Sequence, residues 1–119
     1  MQTFLFSMDC LLYSVHMKLD LELLVPSLKS VFSGDIETSE ESLEKYSRDA
    51  SMFKIVPQMV VFPKNSLDIQ KLVKWTSEQN ETRRDILNLT VRSAGTCMAG
   101  GAINDSIIID VTKYMNNVI

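Results

Sequence analysis

A short apolar run between two prolines most constrains how this chain can fold. The run Met59-Val-Val-Phe62 is rich in β-forming side chains, and Pro57 and Pro63 flank it. It therefore predicts a buried strand with sharp ends. An amphipathic helix is predicted directly afterwards, with Ser66 as its N-cap and an end near Glu81. The apolar side of that helix is formed by Ile69, Leu72, Val73 and Thr76.

Two more strands are predicted after this helix. The segment Leu87 to Val91 alternates between apolar and polar residues, which predicts one strand. The segment Ser106 to Asp110 contains the apolar run Ile107-Ile-Ile109, which predicts the other. A strand joined through a helix to a second strand favours parallel pairing with a right-handed crossover. The sequence therefore predicts one βαβ unit from Met59 to Val91.

The residues before the first proline predict a helical segment. Ser33-Gly34 should end its first helix, and Pro26 indicates that this helix begins later than its apolar stripe suggests. A short extended piece, Asp35 to Thr38, follows. Thr38-Ser-Glu-Glu41 then has the spacing of a capping box ahead of a short helix that ends near Tyr46. The stripe of the first helix consists of Leu21, Leu24, Leu28, Val31 and Phe32.

The composition is that of one globular domain or a piece of one. The chain has 119 residues, 45% of them apolar and 23% charged, and carries a net charge of −3. That charge disfavours binding to a nucleic acid, and no apolar run approaches the roughly 20 residues of a membrane span. We expect a cytoplasmic protein with three parts. Residues 1–16 are a poorly ordered extension or a mis-assigned start, residues 17–50 are an N-terminal helical segment, and residues 51–119 contain the predicted βαβ unit.

Metal binding is not predicted. Cys10, Cys97 and His16 lack the spacing of a metal site, and a lone cysteine in a tight loop is more often a packing residue than a reactive one. The acidic stretch from Asp35 to Asp49 holds six acids and two bases. Such a charge run on a short helix is more often a solvated face than a cation site.

The candidate for chemistry is the small-residue segment Arg92-Ser-Ala-Gly-Thr-Cys-Met-Ala-Gly-Gly101. Its glycines let a ligand approach the backbone, and successive N–H groups in a tight turn form an anion-binding concavity. Thr96 adds a hydroxyl and Arg92 a positive charge. Phosphate is the anion that suits this arrangement best. The alternative is a tight connection that binds nothing, because small residues after a strand often form only a turn. Neither of the two standard phosphate motifs is present.

Several motifs, taken in their order along the chain, resemble those of a single protein family. They are Tyr46-Ser-Arg-Asp-Ala50, Pro57-x-x-Val-Val-Phe-Pro63, Arg92-Ser-Ala-Gly-Thr96 with Ala99-Gly100, Ile107-Ile-Ile-Asp110 and Met115-Asn116. Together they are similar to the start of the FAD-linked oxidases of the p-cresol methylhydroxylase and vanillyl-alcohol oxidase type, nearest to D-lactate dehydrogenase and glycolate oxidase flavoprotein subunits. The resemblance implies an α+β fold: N-terminal helices and a small β-α-β-β sheet, the first half of the flavin domain, with residues 51–119 as a partial FAD-binding domain.

The resemblance also implies a set of cofactor-binding residues. The backbone N–H groups of Ser93, Ala94, Gly95, Thr96, Cys97 and Met98 would contact the FAD diphosphate, with Arg92 beside them. Gly100 would permit the approach, and Pro57 would lie beside the adenosine end. Two positions depart from the family. Ser93 stands where glycine is usual, and Thr96 replaces a histidine that links flavin covalently in some relatives, so FAD binding is expected to be non-covalent.

The function implied is the FAD-binding part of an oxidoreductase, and no residue is assigned a catalytic role. The parent enzyme would oxidise a small 2-hydroxy acid such as D-lactate or glycolate. We expect a truncated chain or one half of a split enzyme that does not turn over alone, with the rest of the enzyme as its partner. The alternative is a non-catalytic βαβ interaction module, or the partner half of a split enzyme, that binds no flavin of its own.

Overall fold

The computed structural model describes residues 21–118. The predicted 1–16 extension, Cys10 and His16 lie outside them. Helix α1 covers residues 21–29 of the described part. The remaining elements are β1 (Asp35–Glu37), α2 (Glu40–Lys45), β2 (Met59–Phe62), α3 (Ser66–Asn80), β3 (Leu89–Arg92) and β4 (Ile107–Asp110). The chain thus has the predicted α+β class.

The four strands form one mixed sheet in the order β1-β2-β4-β3. Strand β1 is antiparallel to β2, whereas β2 and β3 both run parallel to β4. As the βαβ prediction requires, β2 and β3 are parallel and are joined through α3, but these two strands do not pair directly, because β4 lies between them. All four residues of β4 are buried, which favours the centre of the sheet. Strand β3 exposes Val91 and takes an edge.

Side chains from alternate positions of the central strands fill two cores. On one face, Met59, Val61, Ile107 and Ile109 pack with buried residues of α1 and α3. The opposite face holds a smaller cluster, in which Tyr46 contacts residues of β2 and β4. Its members are Tyr46, Val60, Phe62 and Ile108, with Leu43 and Tyr114 at its margin.

Helix α3 differs in two details from the prediction. Its N-cap is Asn65, whose side-chain oxygen accepts a hydrogen bond from the Asp68 N–H at 3.0 Å, so Ser66 is already helical. Val73 is exposed, and Trp75 is buried in its place. The indole Nε1 donates to Ser27 Oγ at 3.0 Å, which satisfies the polar end of this ring.

The two helices before β2 also depart from prediction. Residues 21–25 are already helical before Pro26, so the expected late start of α1 is wrong. Leu24 and Leu28 are buried on either side of Pro26, and this packing outweighs the missing N–H. The N-cap of α2 is Ser39, one residue after the predicted Thr38, and its hydroxyl accepts from the Ser42 N–H at 3.3 Å.

Candidate functional site

The loop of residues 93–101 leaves the end of β3 and leads back to the start of β4. It lines a cleft of about 260 Å³ on the surface. Sites for whole ligands usually enclose about 300–1,000 Å³, so this cleft suits one polar group of a larger ligand. The lining consists of Val91, Arg92, Ser93, Ala94, Gly95, Thr96, Cys97, Gly101 and Ala102.

Two glycines shape the backbone of this loop. Gly95 has φ +71° and Gly100 has φ +81°, in the left-handed region that other residues rarely adopt. Among the described residues no non-glycine residue has a positive φ. Ser93 therefore needs none of the freedom of the glycine that is usual there. Its Oγ instead accepts a hydrogen bond from the Ala94 N–H at 2.6 Å.

The backbone amides of the loop divide into bonded and open groups. The Gly101 N–H donates to Cys97 Sγ at 3.3 Å, and the Ala102 N–H donates to Asp49 Oδ2 at 3.3 Å. Within residues 21–118, the N–H groups of residues 95–100 donate no hydrogen bond to the protein. Consecutive unpaired amides in a glycine-shaped turn are suited to binding an oxyanion.

Arg92 lies beneath the loop. Its Nη1 donates to the carbonyl oxygens of Tyr46 and Ala102, each at 3.4 Å, and the guanidinium lies 5.2 Å from the centre of the Tyr46 ring. A Cβ atom on Gly95 would collide with this guanidinium. The absence of a side chain at Gly95 therefore lets a fixed positive charge lie against the loop backbone.

A buried phenol and carboxylate support Arg92 from below. Tyr46 donates its hydroxyl to Asp110 Oδ2 at 2.5 Å, while Asp110 Oδ1 accepts from Thr112. Burial and Asp110 raise the pKa of Tyr46, so the phenol stays neutral. Burial alone would raise the pKa of Asp110, but hydrogen bonds from Thr112 and Tyr46 outweigh it and the pKa is lowered. The pair is thus a neutral donor and a charged acceptor at neutral pH.

The other predicted site residues lie at different distances from the cleft. Met98 is 82% exposed and does not line it, while Gly100 lies beside Ser51 and Phe53. Pro57 is buried just before β2, which starts level with the start of β4. Since the loop leaves the far end of the parallel strand β3, Pro57 lies at the opposite end of the sheet.

Sequence reasoning missed the contact between Asp49 and the end of the loop. Asp49 belongs to the acidic stretch that was interpreted as a solvated face, and no local pattern indicates that its carboxylate reaches Ala102, 53 residues away. Within the described part of the chain, no group of three His, Cys, Asp or Glu side chains is placed to hold a metal ion. Residues 21–118 also contain no helix with the length and hydropathy of a membrane span.

Comparison with known proteins identifies the family. The model of the family described as FAD binding domain matches residues 57–119, more than half of the chain, including the loop. D-2-hydroxyglutarate dehydrogenase of Escherichia coli is 33% identical over 88 residues, and that of Pseudomonas putida is 30% identical over 90. These matches cover 74% and 76% of this chain but only 8% and 9% of the relatives.

A solved structure supports the same fold. The Physcomitrella patens protein BBE-like 1 superposes with a TM-score of 0.54 at 14% identity. The superposition covers 74% of this chain and 19% of that protein, and at this identity it shows the fold alone. The chain belongs to the FAD-binding domain family, and the cofactor of this domain is FAD.

Proposed function

We propose that this chain is the diphosphate-binding part of an FAD-dependent oxidoreductase, and that the loop holds FAD without a covalent bond. The observation that carries the proposal is the run of unpaired N–H groups at residues 95–100, in a domain whose family binds FAD. We assign the diphosphate contacts to the backbone from Ser93 to Met98, with the unpaired N–H groups of residues 95–98 as the donors, because the Ala94 N–H is already bonded to Ser93 Oγ. Gly100 permits the approach of the ligand, and Arg92 adds positive charge from below.

The energetics of such a site are adequate. A hydrogen bond to a charged group contributes about 1.5–3 kcal/mol, so four amides would contribute about 6–12 kcal/mol before the cost of ordering the ligand. Micromolar affinity requires about 8 kcal/mol. The overall charge of −3 would repel a diphosphate, and the local amides and Arg92 offset this repulsion.

A titration with FAD tests the assignment to this loop. Thr96→Asp introduces a carboxylate among the unpaired amides at an exposed position without a positive φ. We expect it to weaken FAD binding by at least about tenfold, through repulsion and competition for the amides. Ser77→Asp is the matched control, because it adds the same charge at an exposed position of α3. Equal FAD affinity in both variants would show that the loop does not hold the cofactor.

Ligand fragments locate the contact on FAD. If the loop holds the diphosphate, ADP binds the wild-type chain more tightly than adenosine, and Thr96→Asp removes this difference. Adenosine and ADP of equal affinity would contradict diphosphate recognition. A wild-type chain that binds neither FAD nor ADP would favour the non-catalytic interaction module.

For the whole protein we propose oxidation of a 2-hydroxy acid. The support is the name shared by the relatives in Escherichia coli and Pseudomonas putida, D-2-hydroxyglutarate dehydrogenase. We place no catalytic group in the described residues, and propose that the partner is the polypeptide that completes the flavin domain. D-2-hydroxyglutarate is the first substrate to test, with D-lactate and glycolate as comparators. Anaerobic bleaching of the flavin absorbance in the native holoprotein is the expected result, and its absence with all three acids would contradict the activity.

A further inference from the structure

The two ends of the loop are held together by residues that precede the matched family region. Arg92 ends β3 and Ala102 follows the loop, and the Arg92 Nη1 reaches the Ala102 carbonyl oxygen at 3.4 Å. The Ala102 N–H donates to Asp49 Oδ2 at 3.3 Å. Ala102 is thus bonded on both sides, and its peptide groups are fixed where the loop closes.

The segment that carries Asp49 is itself anchored. Tyr46, 9% exposed, offers its carbonyl oxygen to Arg92 and its ring face to the guanidinium. Its hydroxyl is bonded to Asp110 at the end of β4. Asp49 Oδ1 accepts the Ser51 N–H at 2.9 Å, which fixes the carboxylate. We name Tyr46, Asp49, Arg92 and Ala102 together the loop clasp.

We propose that Asp49 and Tyr46 are positioning residues for FAD, which act through Ala102 and Arg92 to close the loop before the cofactor arrives. This inference rests on the proposed function of the loop. A glycine-rich segment loses much conformational freedom when it is ordered, and a ligand that must order it binds more weakly. The clasp supplies that order in advance. Each of its bonds is long for a hydrogen bond, so the closure depends on several contacts acting together.

Asp49→Ala is the central variant, because it removes the acceptor for the Ala102 N–H and leaves every loop residue in place. We expect faster hydrogen exchange at Ala102 and FAD binding weakened by about tenfold. Asp49→Asn keeps an oxygen acceptor and should restore most of the affinity. Glu44→Ala is the matched control: it breaks the 2.6 Å ion pair with Lys54 in the same segment without touching the loop.

The outcomes separate this inference from the function on which it rests. Unchanged FAD affinity in a folded Asp49→Ala variant would overturn the proposal, as would equal weakening by Glu44→Ala. An Asp49→Asn variant as weak as Asp49→Ala would show that charge acts instead of the hydrogen bond, and would also overturn it. If Asp49→Ala unfolds, amide hydrogen exchange in the wild-type chain tests the proposal instead. The Ala102 amide must then exchange more slowly than the amides of residues 95–100, and equal exchange would overturn the proposal.

Failure of the wild-type chain to bind FAD has a different meaning. That result would contradict the proposed function of the loop and with it the role of the clasp in FAD binding. The exchange comparison between Ala102 and residues 95–100 needs no ligand, so it still reports whether the clasp closes the loop. Slow exchange at Ala102 without FAD binding would leave a closed loop with no cofactor role.

Discussion

Two junctions of the sheet use their backbone amides in opposite ways. At the start of α3, the buried Asp68 accepts hydrogen bonds from the Ser33 N–H and hydroxyl and from the Lys64 N–H. We name residues 63–68 with Ser33 the α3 junction. After β3, the amides of residues 95–100 have no acceptor within the described residues. One junction contains its own anion, and the other leaves a place for one.

This difference distinguishes a structural turn from a binding loop. Both junctions follow a strand of the same sheet. In the α3 junction a carboxylate binds amides from two parts of the chain, so the turn is closed from within. The described residues supply no such anion to the amides of the loop after β3, and we propose that the FAD diphosphate binds them.

The largest effect is expected when the internal anion is removed. Asp68→Ala removes a buried carboxylate that accepts hydrogen bonds from two amides and a hydroxyl. A hydrogen bond to a charged group contributes about 1.5–3 kcal/mol, and water replaces part of this at the exposed residues Ser33 and Lys64, so we expect a loss of about 3 kcal/mol in the free energy of unfolding. Urea denaturation measures this loss. FAD affinity of the folded variant should remain unchanged, because Asp68 does not line the loop cleft.

Asp68→Asn is the control for charge. It keeps one oxygen acceptor and replaces the other with a donor, so it should be less destabilising than Asp68→Ala. If Asp68→Ala is as stable as the wild type, the α3 junction is not held by this carboxylate. In that case the contrast between the two junctions loses its physical basis.

The sequence predicted the open junction better than the closed one. The loop was identified from its own residues, because the placement of its glycines is a local property. From the sequence, Asp68 is only an acid two residues after Ser66, in a first helical turn where a negative charge is favourable. Its burial depends on Ser33, 35 residues earlier, and no periodicity reports such a contact.

The same distinction explains the error in the sheet. The strand β2 and the helix after it were predicted from local apolar patterns and turn residues, and both are present. The order of the strands depends on which one is buried on both faces. To place β4 between β2 and β3, one must compare the burial of Ile107-Ile-Ile109 in β4 with the exposure of Val91 in β3. Pairing rules based on the order of strands along the chain do not include this comparison.

A smaller effect is expected from Gly95→Ala in the loop. A non-glycine residue at φ +71° costs about 1–2 kcal/mol, and the new Cβ would push the Arg92 guanidinium out of the clasp. We expect this loss in the free energy of unfolding, together with weaker FAD binding. Gly101→Ala is the matched control, since Gly101 has no positive φ and the atom that crowds its Cβ, Cys97 Sγ at 3.1 Å, is a side-chain atom that can move by a few tenths of an ångström. Equal stability of the two variants would contradict the backbone argument.

The smallest effect is expected from acid, because a protonated carboxyl still accepts hydrogen bonds. Burial alone would raise the pKa of Asp68, but hydrogen bonds from Ser33 and Lys64 outweigh it and hold the pKa below its usual value. A folded pKa below the unfolded one stabilises the protein above the unfolded value, near 3.9, and this stability is lost as the pH falls through the folded pKa. Urea midpoints should therefore be level down to about pH 5 and fall below about pH 4.

Asp68→Asn shows which junction causes that fall. The variant has no carboxyl to titrate at this position, so its urea midpoint should decline less steeply in acid than that of the wild type. Asp110 also has a lowered pKa, so part of the decline remains. Residues 93–101 carry no carboxylate, and acid reaches the loop only through neighbours such as Asp49. An equally steep decline in both proteins would mean that the charge on Asp68 does not stabilise the α3 junction, and that its amides need an acceptor but not an anion.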